Sequence, residues 1–515
     1  MPKEKAMFST VGVMMLITVA GKIMGVLRDR MLGVHFGIDT AESIAFTQAS
    51  WLPRVFFDIM FASVFSASFI PVFAQFFEAG QKEAAMELAA RFVRVIFIAT
   101  AAITVICIAF AAPIFSIWGD GPVELGVTLL RILFPVMIFS GVAFALTGIL
   151  QSLGEFYIPS AMSVASNGII LLYYFFFIDR FGVYGLAIAF LIGWFAQIAI
   201  QVPFLVKRGF FRVRPSIAPK VLRKDEGFRQ IIRLALPVIA ASWVVPINFT
   251  VNARAAGAAG IVVIDFTRML VTVIPGVFVL SLANVLLPKL SMQAASGNLS
   301  AFAADTRRSL RSLFFLLVPM TLGLMAVARP LVRFIYYGGR FDTDAVNLTA
   351  NALFFFSLGV TGFGLQVILS RACYALKDGR SPLLTGIAAM LINLLLSFAL
   401  APLGIKGPAL ANAITISVAA AGLFFILSRR LARLWSQDMT IDVLKMLLAA
   451  ILMFFITRYV LYTLEAFFDA DVLFTRILTL AAPAAVGGLL YFGGCFLLHV
   501  PEARELAQWI RRKLP

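Results

Sequence analysis

Gly182-Val183-Tyr184-Gly185 recurs as Gly404-Ile405-Lys406-Gly407, and the fold is decided by reading these two stretches together. Two further stretches repeat in step with them. Phe69-Ile70-Pro71 with Gly80 recurs as Leu286-Leu287-Pro288 with Gly297, proline and glycine nine apart in both. Leu153 to Pro159 recurs as Leu376 to Pro382, six apart in both. The offsets are 222, 217 and 223. Near-constant spacing across three pairs marks an internal duplication. In an apolar chain, paired halves point to a transporter that holds its substrate between them.

The 515 residues are 61% hydrophobic and 13% charged, too apolar for a surface that faces only water. Apolar runs of roughly 20 residues recur along the chain, each long enough to cross a bilayer core. The first begins near Phe8, lacks an A-x-A-type cleavage site and runs into Arg28-Asp29-Arg30, so it is expected to stay as a helix. The net charge of +17 is dispersed among short loops, which orients membrane proteins and does not mark a nucleic-acid binder. Cys107, Cys373 and Cys495 lie in apolar runs, and His35 and His499 are isolated. No disulfide framework or metal spacing follows from them. No Walker loop, zincin motif or nucleophile elbow is present, so neither an ATP-driven pump nor a membrane-embedded hydrolase is expected. The chain is read as a non-enzyme with no cofactor.

Fourteen spans are expected, near 8–28, 44–74, 91–117, 127–151, 160–178, 183–206, 230–252, 262–288, 312–336, 346–374, 382–402, 407–428, 442–463 and 475–499. They are too long and too continuously apolar for barrel strands, so the expected fold is an all-α polytopic bundle. Under this count the basic loops all fall on one side: Lys207 to Lys224, Lys289 with Arg307, Arg308 and Arg311, Arg429 with Arg430 and Arg433, and the tail Arg511-Arg512-Lys513. The opposite loops include acidic ones, with Asp120 and Glu124, then Glu465, Asp469 and Asp471. Both termini are therefore expected in the cytoplasm. The offset maps span two onto eight, four onto ten and six onto twelve, so the halves share one membrane orientation. The expected organisation is a six-helix lobe at 1–206, a basic linker at 207–229, a second six-helix lobe at 230–430, and two extra helices with a tail at 431–515.

Ionisable residues inside spans are costly and mark function by default. Span one carries Lys22, Arg28 and Asp29, with Gly21 and Gly25 on the Arg28 face. Lys22 lies about fourteen residues into the span, ~21 Å of rise, too deep for easy escape to either surface. Span two carries Arg54 and Asp58, four apart after Pro53, where a kink is expected. Span seven ends in Asn252 and Arg254, and span eight opens with Asp265 and Arg268. Two readings stand side by side. Arg28 can snorkel, Arg54 and Asp58 can neutralise each other, and Arg254 and Asp265 can be ordinary loop charges. Alternatively, Lys22, Arg28, Arg54 and Arg268 line a wet cavity for an anion, since the planar arginine fork suits phosphate. The phenylalanine-rich stretch at Phe354-Phe355-Phe356 is read as packing or lipid-facing surface.

Several stretches resemble the MurJ (MviN) family of lipid II flippases. They are Gly25-Val26-Leu27-Arg28-Asp29, Phe65-Ser66 through Phe73, Pro275-Gly276-Val277-Phe278 through Ser291 with Ala295 to Asn298, Gly339-Arg340-Phe341-Asp342, and Arg371-Ala372-Cys373-Tyr374-Ala375-Leu376-Lys377-Asp378-Gly379-Arg380-Ser381-Pro382. The resemblance runs from the first span to at least the twelfth. It implies the MOP-type fold of two six-helix lobes plus two C-terminal helices. It also implies movement of undecaprenyl-pyrophosphate-linked disaccharide-peptide across the bacterial cytoplasmic membrane, with membrane lipid and cell-wall synthesis proteins as partners. By position, Arg28 and Asp29 match the family, Lys22 replaces an arginine, and Arg268 matches a functional arginine with one residue of slack.

The departures are specific. The family's Arg-Arg pair after the span-two proline is Phe57 and Asp58 here, with Arg54 as its substitute, and the glutamate after it is Ala62. Some members hold sodium at positions that are Asn252, Asn393 and Ser397 here. Both carboxylates are replaced, and a hard cation needs charged oxygens, so no metal is expected. The alternatives are a flippase for another polyprenyl-pyrophosphate-linked glycan, a cation-coupled MATE-like exporter, and a scaffold whose charges are all structural pairs.

Overall fold

The computed structural model describes residues 2–118, 122–213, 215–431, 434–468 and 472–513. The side chains of 2–12, 15, 55–59 and scattered positions such as 288 and 512–513 lie outside that description. Asp120, Arg214, Arg433, Asp469 and Asp471 of the loop-charge pattern also lie outside the described residues. The chain divides into two compact units, Met1–Ile247 and Asn248–Pro515.

The first unit contains α1 (Pro2–Phe36), α2 (Ala41–Trp51), α3 (Phe57–Val64), α4 (Ile70–Glu78), α5 (Lys82–Ala109), α6 (Ala111–Trp118), α7 (Val123–Leu133), α8 (Val136–Ser152), α9 (Tyr157–Phe176), α10 (Ile178–Ala199), α11 (Val202–Lys207), α12 (Pro219–Lys224) and α13 (Glu226–Ser242). The boundary falls inside α14 (Val244–Ala255). The second unit continues with α15 (Gly260–Ala295), α16 (Leu299–Ala326), α17 (Ala328–Tyr336), α18 (Thr343–Ser357), α19 (Val360–Ala375), α20 (Arg380–Ala399), α21 (Lys406–Arg430), α22 (Gln437–Phe467), α23 (Leu473–Leu497) and α24 (Pro501–Lys513).

The fold is all-α. Among the described residues nine helices are long and apolar enough to cross a membrane, and α18 with α19, bent by 43°, makes a tenth. The other four expected spans fall on α1, α2–α4, α13–α14 and α15, which carry charges or breaks. The α2–α4 run is broken by two π-helical turns, Leu52–Phe56 and Phe65–Phe69. Pro53 has no N–H to give the ladder, and a wide turn absorbs that loss. Arg54 and Asp58 are therefore not related by the simple α-helical spacing expected of them.

Each repeated stretch turns out to be a left-handed turn. Gly80 and Gly297 have φ of 78° and 70°, and Gly154 and Lys377 have 80° and 58°. Gly182 and Gly404 have φ of 52° and 63° with the same ψ of −144°, a region that is essentially glycine's alone. A fourth pair escaped the sequence reading: Gly37 and Gly257, 220 apart, at φ 76° and 83°. At two pairs the hydrogen bonds repeat too. The N–H of Gln81, Glu155, Asn298 and Asp378 each reaches back five residues to a helix carbonyl, at 3.1, 2.8, 3.0 and 2.9 Å, the Schellman closure of a helix end.

Aromatic residues build much of the first core. Phe61, Phe65, Phe69 and Phe73 continue through the second π turn, and Phe69 stacks on Phe92 at 5.1 Å. Residues 210–228 are fastened to this unit. Arg91 pairs with Asp225 and donates to the Ser216 carbonyl at 3.0 Å, Arg94 donates to the Pro215 carbonyl at 2.7 Å, and Phe210 and Phe228 enter the core. In the second unit α22 packs on α16 and α23, and the Tyr491 hydroxyl donates to the Phe315 carbonyl at 2.9 Å. Phe455, Tyr459, Tyr462 and Leu489 leave the outer faces of α22 and α23 apolar and exposed. The stretch at 354–356 is packing surface at Phe356, which is buried.

Candidate functional site

In the first unit the site is built where α9 lies between α1 and α10. Glycine permits the approach on both sides. A methyl group at Gly21 would stand 3.0 Å from Ser163 Cβ, and one at Gly193 would stand 3.0 Å from the Ser166 carbonyl oxygen. The small-residue face of α1 thus meets a neighbouring helix. Asn167 of α9 is buried there and is fully used. Its amide donates to the Gly21 carbonyl and to Ser163 Oγ, both at 3.2 Å, and its Oδ1 accepts from Arg28 Nη1 at 3.1 Å. Arg28 also donates from Nε and Nη2 to Asp29 Oδ1, at 3.0 and 2.7 Å. The guanidinium lies over the Phe190 ring, 5.4 Å from its centre, a contact that favours a cation. The Arg28 side chain is 16% exposed and that of Asp29 is 7%.

Tyr174 is buried beside this group, 5.5 Å from the His35 ring, and feels the charges of Arg28, Asp29 and Arg54. Arg54 is half-buried in the first π turn. Lys22 is exposed, on a stretch where Leu16, Val19 and Ile23 are exposed as well. The side chain of Asp58 lies outside the described residues.

In the second unit Asp265 and Arg268 share the first turns of α15. Arg268 Nη2 donates to Asp265 Oδ1 at 2.7 Å, and its guanidinium lies 5.7 Å from the centre of the Phe249 ring. Asp265 is buried and Arg268 is 22% exposed. Arg254 is exposed near the end of α14.

The three positions matched to a sodium site are brought together. Ser397 Oγ donates to Asn252 Oδ1 at 2.7 Å, and Asn252 Nδ2 donates to Asn412 Oδ1 at 3.3 Å. Asn393 Nδ2 donates to the Asn248 carbonyl at 3.3 Å. Asn252, Asn393 and Ser397 are fully buried. The donor set is uncharged: it holds no carboxylate, Asn252 and Ser397 spend their groups on each other and on Asn412, and the side-chain amide oxygens of Asn248 and Asn393 are buried without a hydrogen-bond partner. A hard cation is better held by charged oxygens. Among the described residues no group of three or more His, Cys, Asp and Glu side chains converges.

Sequence reasoning missed Asn167, Phe190, Phe249 and Asn412. The available signal was a lone amide in an apolar span, which seeks a partner on a facing helix.

The sequence model of the lipid II flippase MurJ family matches residues 34–480. The chain belongs to the MurJ family. The probable lipid II flippase MurJ of Rhizobium tropici is 25% identical over 512 residues, which cover 97% of this chain and 95% of that protein. A solved lipid II flippase MurJ in an inward closed conformation superposes with a TM-score of 0.75 at 20% identity, over 93% of this chain and 99% of that one. An inward-facing multidrug resistance MATE transporter of the MOP superfamily follows at 0.68 and 18% identity, over 82% and 98%. The architecture is thus the MOP fold, and the chain is a multi-pass membrane protein of the MurJ family.

Proposed function

We propose that this protein is a flippase that carries lipid II from the inner to the outer leaflet of the bacterial cytoplasmic membrane by alternating access. The observation that carries the reading is a half-buried guanidinium in each unit, set over a phenyl ring on a helix where a span is expected from the sequence. Such a guanidinium can turn a two-pronged donor face toward a pyrophosphate. At low dielectric that attraction is far stronger than in water. Arg28 of the first unit and Arg268 of the second are each candidates for phosphate contact, with Lys22 and Arg54 adding positive charge in the first unit, and Asp29 and Asp265 each tuning the arginine it pairs with. The hydrocarbon tail stays in lipid beside the apolar faces of α22 and α23. Membrane potential acts on the cationic empty carrier with about 2.3 kcal/mol per charge per 100 mV. No covalent step is involved.

The basic loops support cytoplasmic termini. Cell-wall synthesis proteins are the partners such a carrier would hand its cargo to. The test is complementation. Arg28→Ala should fail to support growth of a strain depleted of its own lipid II flippase, with the variant present at normal levels in the membrane. Normal growth at normal levels would refute the reading.

A further inference from the structure

Arg28 and Arg268 are not repeat partners, because the duplication offset of about 220 residues would take Arg28 to Asn248. Yet the two are held alike. In each, a carboxylate on the same helix accepts from Nη2 at 2.7 Å, and a phenyl ring lies 5.4 or 5.7 Å from the guanidinium. In each the carboxylate is the more deeply buried partner. Arg28 spends three N–H groups on Asp29 and Asn167. A guanidinium has five, so its donor face is only partly used.

We infer that Asp29 and Asp265 are built-in counter-anions, which hold the two guanidiniums between transport events and yield them to phosphate oxygens when substrate arrives. This rests on the lipid-pyrophosphate reading above. An uncompensated cation at low dielectric is costly, and it would grip an anionic cargo too firmly. A carrier must bind well enough to load and loosely enough to unload. A resident carboxylate meets both needs, since it stabilises the empty state and competes for the cation during release. It also sets specificity. A pyrophosphate, with several charged oxygens, can outcompete a single carboxylate for the arginine fork, whereas a monocarboxylate ligand cannot.

The test uses the full-length protein in detergent, with farnesyl pyrophosphate as probe and farnesol as the uncharged control. Asp29→Asn and Asp265→Asn should each bind farnesyl pyrophosphate at least fivefold more tightly than the wild type, release it more slowly, and leave farnesol binding unchanged. Equal or weaker binding by folded variants overturns the inference. A second measurement needs no variant. In infrared difference spectra of the wild type, farnesyl pyrophosphate should shift a carboxylate stretching band, and farnesol should not. An unchanged band overturns the inference as well. If Arg28→Ala and Arg268→Ala bind farnesyl pyrophosphate as the wild type does, the arginine reading itself fails. If they lose binding and the Asp→Asn variants do not gain it, only the counter-anion role fails.

Discussion

Replacing Asn167 by alanine isolates one bond that aims Arg28. The side chain makes three hydrogen bonds, to Arg28 Nη1 at 3.1 Å and to the Gly21 carbonyl and Ser163 Oγ at 3.2 Å. The last two are cheap to lose, because a helix carbonyl already accepts within its own helix and a serine hydroxyl can turn elsewhere. The first involves a charged donor, so its loss costs about 2 kcal/mol. The aiming is worth at most that bond's energy, so with 1.4 kcal/mol per factor of ten Asn167→Ala should weaken farnesyl pyrophosphate binding more than about twofold and at most roughly 30-fold. Titration calorimetry on the purified full-length protein measures this, with the unfolding temperature recorded alongside. Asn167→Asp sharpens the test. It keeps the shape, adds a second carboxylate beside the guanidinium, and should bind more weakly than the alanine variant. A change of less than about twofold in Asn167→Ala, beside a clear loss in Arg28→Ala, would refute the claim that Asn167 aims the cation.

Gly182→Ala and Gly404→Ala should each cost about 1–3 kcal/mol, because both positions have φ above 50° with ψ of −144°; unfolding midpoints measure the loss. Asp378 caps α20 through the Ser381 N–H at 3.0 Å, takes the Ser381 hydroxyl at 2.6 Å, and binds Arg430 of α21 at 2.6 Å. Asp378→Ala should cost about 2 kcal/mol, a cap plus a charged hydrogen bond. Burial works to raise the Asp378 carboxyl, but the Ser381 hydrogen bonds and the Arg430 charge outweigh it and hold it below the usual carboxylate range. The stability it contributes is therefore complete above the unfolded-state value of about 4 and fades only as pH falls through the lower folded value, so wild type and variant should converge in acid. Ser397→Ala leaves the buried Asn252 oxygen without its donor and should cost about 1–3 kcal/mol. Exchanging sodium for potassium should leave the wild-type unfolding temperature unchanged, since the donor set around Asn252 is uncharged.

What the sequence made legible was what local chemistry dictates. The repeats stood out because proline and glycine are fixed by backbone geometry, and three pairs proved to be turns that need positive φ. The apolar runs became helices because lipid leaves a backbone few other choices. The π turns around Arg54 were hidden, since a proline predicts a break but not that the helix widens instead of ending. Arg28, Asp29 and Arg268 were found by their cost in an apolar span. Their partners were not, because Asn167, Phe190 and Phe249 matter only through the helix each one faces. Lys22 was singled out by its depth along α1, where its side chain is exposed.

Lys377 holds the left-handed turn that Gly154 holds in the other half. Lysine gains nothing from that conformation, so the bend at this corner does not depend on glycine. After duplication, the two copies have drifted in chemistry while keeping the corners at which the chain reverses. Ancestry between such halves is better sought by lining up dihedral angles than by lining up letters.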